Sequence, residues 1–203
     1  MYAPASLPVA LTIAGSDSGG GAGIQADIQT FAAHGVFGTS VVAATTAQNS
    51  QGVAEAHVLP TDHVKAQYRA VADDVALAGV KTGMLATATM VETVADLLTD
   101  APAPVVVDPV MVAASGDRLL SEAAETAYED LLAGARLATP NVDEAEVLAG
   151  MAVETPADAR AAGDRIRETG VDAVLVKGGH LADDEDVVDT LVTADGVDSG
   201  VSE

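Results

Sequence analysis

The stretch Val9-Ala-Leu-Thr-Ile-Ala-Gly15-Ser-Asp-Ser-Gly-Gly-Gly21-Ala-Gly23-Ile-Gln-Ala-Asp27 decides the fold. Its apolar run Val9 to Ala14 predicts a buried strand, and Ile24, Ile28 and Phe31 then recur at helical spacing as far as His34. A glycine-rich loop opening at Gly15 joins the two. Consecutive glycines cost conformational entropy and are kept where backbone must come close to something, and a helix start aims unpaired N–H groups at the loop's occupant. The expected guest is an anionic or hydrogen-bond-accepting small molecule. Asp17 before the glycines and Asp27 after them favour a site over a plain turn.

A dinucleotide site competes, because Gly21-Ala-Gly23-Ile-Gln-Ala26 fits Gly-x-Gly-x-x-Ala. That fingerprint starts almost directly at the strand end and wants an acidic residue roughly 20 positions on. Here the glycines come well after Ala14 and the second strand ends in Gln48-Asn49, so the nicotinamide reading is weak.

Outward from this unit, strands and helices alternate. Gly35 to Gly38 reads as a turn, Thr39 to Ala47 as a strand, and Val53 to Leu59 as a short strand. Thr61 is the expected N-cap of a helix to about Asp74. Leu77 to Lys81 is a strand closed by Thr82-Gly-Met84, Thr87 to Thr99 a helix, and Pro104 to Asp108 a strand that Pro109 ends. A helix over Ser121–Leu132, a strand stub at Leu137–Thr139 and a short helix over Val142–Ala149 follow. Thr155 and Pro156 open a helix that Gly170 terminates, Ala173 to Lys177 is a strand, and Val187 onward folds about Asp195-Gly196 as a hairpin. The pattern predicts one α/β domain over residues 1–203, with a mainly parallel central sheet and helices on both faces.

Composition narrows the function. Of 203 residues, 31 are acidic and 9 basic, for a formal charge of -22, a field that disfavours nucleic acid and anionic lipid surfaces as partners. The acid is spread along a chain that is 49% hydrophobic, which separates it from disorder and suggests a solvating coat. There is no cysteine, so disulfides, thiolate zinc sites and a cysteine nucleophile are excluded within it. No signal-peptide pattern or membrane-length apolar run is present, and a cytoplasmic location is expected. Association into a homodimer is left open.

Ligands of open α/β sheets bind outside the carboxyl ends of the strands. Those ends carry Gly15 to Gly23, Gln48-Asn49, Gly83-Met84, Asp108-Pro-Val110, Asn141 with Glu144, and Lys177-Gly-Gly179. The set suits phosphoryl transfer. Lys177 would face donor phosphates, and Asp108 and Glu144 would hold magnesium directly or through water. A Walker A loop is absent. Asp183-Asp-Glu-Asp186 lacks calcium-loop spacing and reads as solvated loop; His34, His57 and His63 show no ligand spacing, and His180 near the rim stays open.

Taken with Ala47-Gln48-Asn49, Lys81-Thr-Gly-Met-Leu85, Asp108-Pro-Val-Met111, Thr139-Pro-Asn-Val-Asp-Glu144 and Val176-Lys-Gly-Gly-His180, the opening motif resembles the hydroxymethylpyrimidine/phosphomethylpyrimidine kinases of thiamine biosynthesis. The resemblance implies a ribokinase-like fold, ATP as donor, magnesium as cofactor, and 4-amino-5-hydroxymethyl-2-methylpyrimidine and its monophosphate as substrates. It implies that Gln48 hydrogen-bonds the aminopyrimidine and that Gly15, Asp27, Met84 and Val110 shape the pocket for ring and hydroxymethyl arm. By the same likeness Asn141 and Glu144 order magnesium and phosphate, and Lys177 faces the ATP phosphates. The family continues past the hairpin into a Gly-Thr-Gly-Cys motif that supplies an anion hole and the proposed base. The expectation is therefore a kinase domain whose C-terminal part lies beyond Glu203, with the acidic coat pointing to a halophilic archaeon. Pyridoxal kinases share the scaffold and are the near alternative; a non-catalytic heterocycle-binding module is the alternative of another class.

Overall fold

The computed structural model describes residues 7–111, 122–179 and 187–202. Ser121, His180 and the Asp183–Asp186 run lie outside these residues. The chain opens with β1 (Val9–Ser16), α1 (Gly23–Ala33), β2 (Phe37–Asn49) and β3 (Gly52–Val58). It continues through α2 (Thr61–Ala72), β4 (Leu77–Thr82), α3 (Ala88–Leu98), β5 (Val105–Val107), α4 (Glu122–Ala133) and β6 (Leu137–Ala138). α5 (Val142–Ala149), α6 (Pro156–Arg167), β7 (Ala173–Val176), β8 (Val187–Thr193) and β9 (Gly196–Ser202) complete it.

The strands form one nine-stranded sheet in the order β3-β2-β1-β4-β5-β6-β7-β8-β9. From β2 to β7 every pairing is parallel, and antiparallel hairpins flank that centre: β3 against β2, and β8 with β9 against β7. The predicted alternation thus builds the predicted sheet. The order steps one way from β1 to β2 and the other way from β1 to β4. Right-handed crossovers then place α1 on one face and the helices linking β4 to β7 on the other. The gap between β1 and β4 is the topological switch point, where open α/β sheets take their ligands.

The core is aliphatic, as a chain with 2% aromatics requires. Leu11, Ile13, Val41, Val80 and Val107 from the central strands are sealed from solvent by Met90, Val94, Leu132 and Ile166 from the helices. Tyr128 of α4 is the largest fully buried side chain. Among the described residues no helix is long and apolar enough to cross a membrane.

Four local expectations are corrected. β1 does not stop at Ala14 but pairs on through Ser16, because a register shift against β2 between Ala14 and Gly15 lets the glycine stay in the sheet. The Gly35–Gly38 turn is shorter than expected, since Phe37 and Gly38 already pair with Val9 and Ala10. Thr61 is inside α2 and not its cap; Pro60 takes the cap position, with extended ψ and no side-chain hydrogen bond. α6 ends at Arg167 with Glu168 as its cap, and Gly170 turns the chain beyond it at φ 112°.

Candidate active site on the carboxyl rim of the sheet

Strand alternation and register bring the charged residues together. Thr12 pairs with Lys81, Lys81 with Val106, and Val106 with Leu137, so these four side chains share one face. Two residues further along the same face stand Asp108 after β5 and Thr139 after β6. Ala138 pairs with Val174, which carries the alternation to Lys177 just past β7. α1 lies over the β1 end of this face and contributes Asp27.

The result is a row of alternating charge. Thr12 Oγ1 donates to Asp27 Oδ2 at 2.6 Å, and Lys81 Nζ lies 3.1 Å from Asp27 Oδ1. Lys81 is also 3.7 Å from Asp108 Oδ2, while Lys177 Nζ donates to Asp108 Oδ1 at 3.1 Å, an oxygen that Thr139 Oγ1 meets at 3.3 Å. The predicted Asp27, Asp108 and Lys177 therefore meet, and sequence reasoning missed the cation that joins them. A charged residue next to last in a buried strand was the available signal for Lys81.

The glycine loop behaves differently from expectation. Three of its N–H groups are not left for a guest, because the carboxylate of Asp17 accepts from them. Asp17 Oδ1 accepts from Gly19 N at 2.7 Å, and Oδ2 from Gly21 N at 3.0 Å and Ala22 N at 2.9 Å. Asp17 is 5% exposed, so the chain supplies its own anion at the start of α1. Gly23 holds φ 57° with its Cα against the Gly15 carbonyl, a position open only to glycine. Ser18 ties the loop to β2: its Oγ donates to Gln48 O at 2.6 Å and accepts from Gln48 N at 2.7 Å.

Gln48 itself sits half-buried beside a register shift between Ala47 and Gln48. Its amide end lies 3.2 Å from Thr46 Oγ1, whose one proton goes to Ser16 O at 2.8 Å, so the amide keeps hydrogen-bonding capacity to spare. Gly15 and Met84 form one wall. Gly15 N donates to Met84 O at 3.0 Å, and a Cβ on Gly15 would stand 2.6 Å from Met84 Cε. Val110 is half-buried next to the rim, its N–H on Asp108 O at 2.9 Å.

Asn141 and Glu144 form a capping box at the start of α5: Asn141 Oδ1 accepts from Glu144 N at 2.8 Å, and Glu144 Oε2 from Asn141 N at 2.9 Å. The other oxygen, Oε1, accepts from Met111 N at 3.3 Å. Burial pushes the Glu144 carboxyl above the usual carboxylate range, against the pull of those N–H groups and of the Lys177 ammonium. Burial raises the Tyr128 phenol as well, with the Glu144 and Asp108 carboxylates adding to it.

No cluster of three or more His, Asp or Glu suited to a metal occurs among the described residues. Magnesium in nucleotide sites needs only one or two carboxylates, the rest of its shell being water and phosphate. Asp108 and Glu144 each keep lone pairs beyond the protein donors they accept from, and this donor set fits a hydrated magnesium carried by a nucleotide. A cavity of about 270 Å³ between α3, α4 and β5, lined by Leu98, Val105, Asp130 and Leu131, stands apart from this chemistry.

The family profile described as Phosphomethylpyrimidine kinase matches residues 17–202, from the self-filled loop to the last hairpin. The chain belongs to the phosphomethylpyrimidine kinase family. The hydroxymethylpyrimidine/phosphomethylpyrimidine kinase of Streptomyces coelicolor is 53% identical over 182 residues, which are 89% of this chain and 68% of that one. The crystal structure of phosphomethylpyrimidine kinase from Clostridium difficile 630 superposes with a TM-score of 0.90 at 39% identity, covering 97% of this chain and 85% of that one. An ADP complex of Bacillus subtilis pyridoxal kinase follows at 0.89 and 34% identity, covering 98% of this chain and 76% of its own. This phosphomethylpyrimidine kinase family member thus has the ribokinase-like fold expected from its sequence, and its family membership makes it a phosphotransferase.

Proposed function

We propose that the chain binds 4-amino-5-hydroxymethyl-2-methylpyrimidine and its monophosphate at the switch point between β1 and β4, for ATP-dependent phosphorylation. The observation that carries this reading is the charged row Asp27–Lys81–Asp108–Lys177 on the same carboxyl rim of the sheet as a half-buried amide, Gln48, with hydrogen-bonding capacity to spare. An amide offers a donor and an acceptor to an aminopyrimidine edge. Gly15, Met84 and Val110 would flank the ring, and Asp27 would meet the hydroxymethyl arm.

In the transfer, the hydroxymethyl oxygen forms a bond to the γ-phosphorus of ATP as the bond from that phosphorus to the bridging oxygen of ADP breaks, and the hydroxyl proton passes to a base. Lys177 would offset the donor's negative charge, and Asn141 would order the phosphate end. Asp108 and Glu144 would hold magnesium, which when bound neutralises phosphate oxygens. The acidic coat is assigned to a cytoplasmic enzyme working at high salt, and association as a homodimer remains part of the proposal.

The test is ATP-dependent phosphorylation of the hydroxymethylpyrimidine, its monophosphate and pyridoxal in molar potassium chloride, with this chain and with a longer one carrying the Gly-Thr-Gly-Cys segment. Turnover of both pyrimidines by the longer chain, with pyridoxal slower, supports the proposal. Preference for pyridoxal would move the assignment to the vitamin B6 kinases of the same scaffold, which the Bacillus subtilis neighbour represents.

A further inference from the structure

The proposed function leaves Lys81 without a role, although it is the group that touches both halves of the site. Its ammonium is within hydrogen-bond reach of Asp27 at 3.1 Å and pairs more loosely with Asp108 at 3.7 Å. Lys177, by contrast, is committed to the far oxygen of Asp108. The Lys81 side chain is 27% exposed and that of Asp27 13%, so of this pair the lysine is the more open to an arriving ligand. Room for it is kept by Gly83, where a Cβ would come 3.4 Å from Nζ and 3.0 Å from Ala14 Cβ. A chain with three lysines in all places two of them on this rim.

The two acceptors of the proposed reaction differ at this spot. One ends in a neutral alcohol, the other in a phosphate dianion, and Asp27 and Asp108 both repel the second. A lysine ammonium is a compact charge with three donors on a flexible stem, able to turn from a loosely held carboxylate to an arriving phosphate. Resting on the reading of the site given above, we infer that Lys81 is a specificity-determining residue, whose ammonium holds the phosphate of the phosphorylated acceptor where the alcohol arm of the unphosphorylated one ends. One site thereby accepts both compounds.

The test is calorimetric titration of this chain with 4-amino-5-hydroxymethyl-2-methylpyrimidine and with its monophosphate. Loss of a charge-assisted contact predicts that Lys81→Met weakens the monophosphate about 10- to 100-fold and the alcohol less than about threefold, with Lys81→Arg recovering most of the difference. Equal weakening of both ligands by Lys81→Met overturns the inference, and so does discrimination that is lost in Lys177→Met and kept in Lys81→Met. If Lys81→Met fails to melt cooperatively, Lys81→Gln gives the same comparison with a hydrogen-bonding side chain. A wild-type chain that binds neither compound overturns the functional reading itself, whereas a wild type that binds both, with variants losing them equally, overturns the inference alone.

Discussion

Single residues set the polarity of this site. Asp17 occupies three N–H groups of a loop that reads as an anion cradle, so on the proposed reading an incoming phosphate is met at the lysines instead. Tyr128 is fully buried, and its hydroxyl has no hydrogen-bond partner among the described residues. An unpaired buried hydroxyl costs free energy that a phenyl ring does not. Tyr128→Phe is therefore expected to melt within about 1 kcal/mol of the wild type or above it. A loss of about 2 kcal/mol or more in chemical denaturation would show that the hydroxyl is hydrogen-bonded. The site residues were legible in sequence wherever a motif ended a strand, as at Gln48, Asp108 and Lys177. Lys81 was not, because a residue inside a strand reads as packing until register shows what lies beside it. The destination of the loop N–H groups was equally hidden, since a carboxylate two residues before Gly19 can cap its own loop or point into solvent with the same sequence.

Elements were legible to the extent that their ends carry local chemistry. Thr155 caps α6 as expected, with Pro156 in its first turn, and Asp158 completes a capping box by accepting from Thr155 Oγ1 at 2.7 Å and Thr155 N at 3.0 Å. At α2 the same reasoning picked Thr61, yet the helix starts one residue early from Pro60, whose fixed φ suits a helix entry without a side-chain acceptor. Asp158 also gives α6 a pH dependence. The Thr155 hydroxyl and the N–H groups of Glu154 and Thr155 hold its carboxyl below the usual value of 3.8. A depressed folded-state value means that the contribution is present above the ordinary carboxylate range and is lost as pH falls through the folded-state value. The wild type should melt above Asp158→Asn at neutral pH, and the gap should close below about pH 4. A gap that is constant from pH 7 to pH 3 would show that the carboxylate charge contributes nothing to the cap.

At the scale of the whole molecule, the parallel centre, its antiparallel flanks and the reversal of strand order at β1 and β4 put a small-molecule site where topology alone would place it. The class of fold was legible from alternating patterns, whereas the exact order of nine strands depends on long-range pairing that no local signal encodes. The charge of -22 is the global counterpart of the rim: an acidic molecule concentrates two of its few lysines where a polyphosphate would arrive. On the proposed reading, this rim binds an aminopyrimidine through Gln48 and meets phosphate through its lysines. The most direct test of that reading is calorimetric titration of the hydroxymethylpyrimidine into wild type and Gln48→Ala, with an ATP analogue titrated in parallel. Removing the amide leaves a ring edge unpaired, and pyrimidine affinity is predicted to fall about 10-fold or more while nucleotide affinity stays within about twofold. Unchanged pyrimidine binding, or an equal loss of both ligands, would contradict the account.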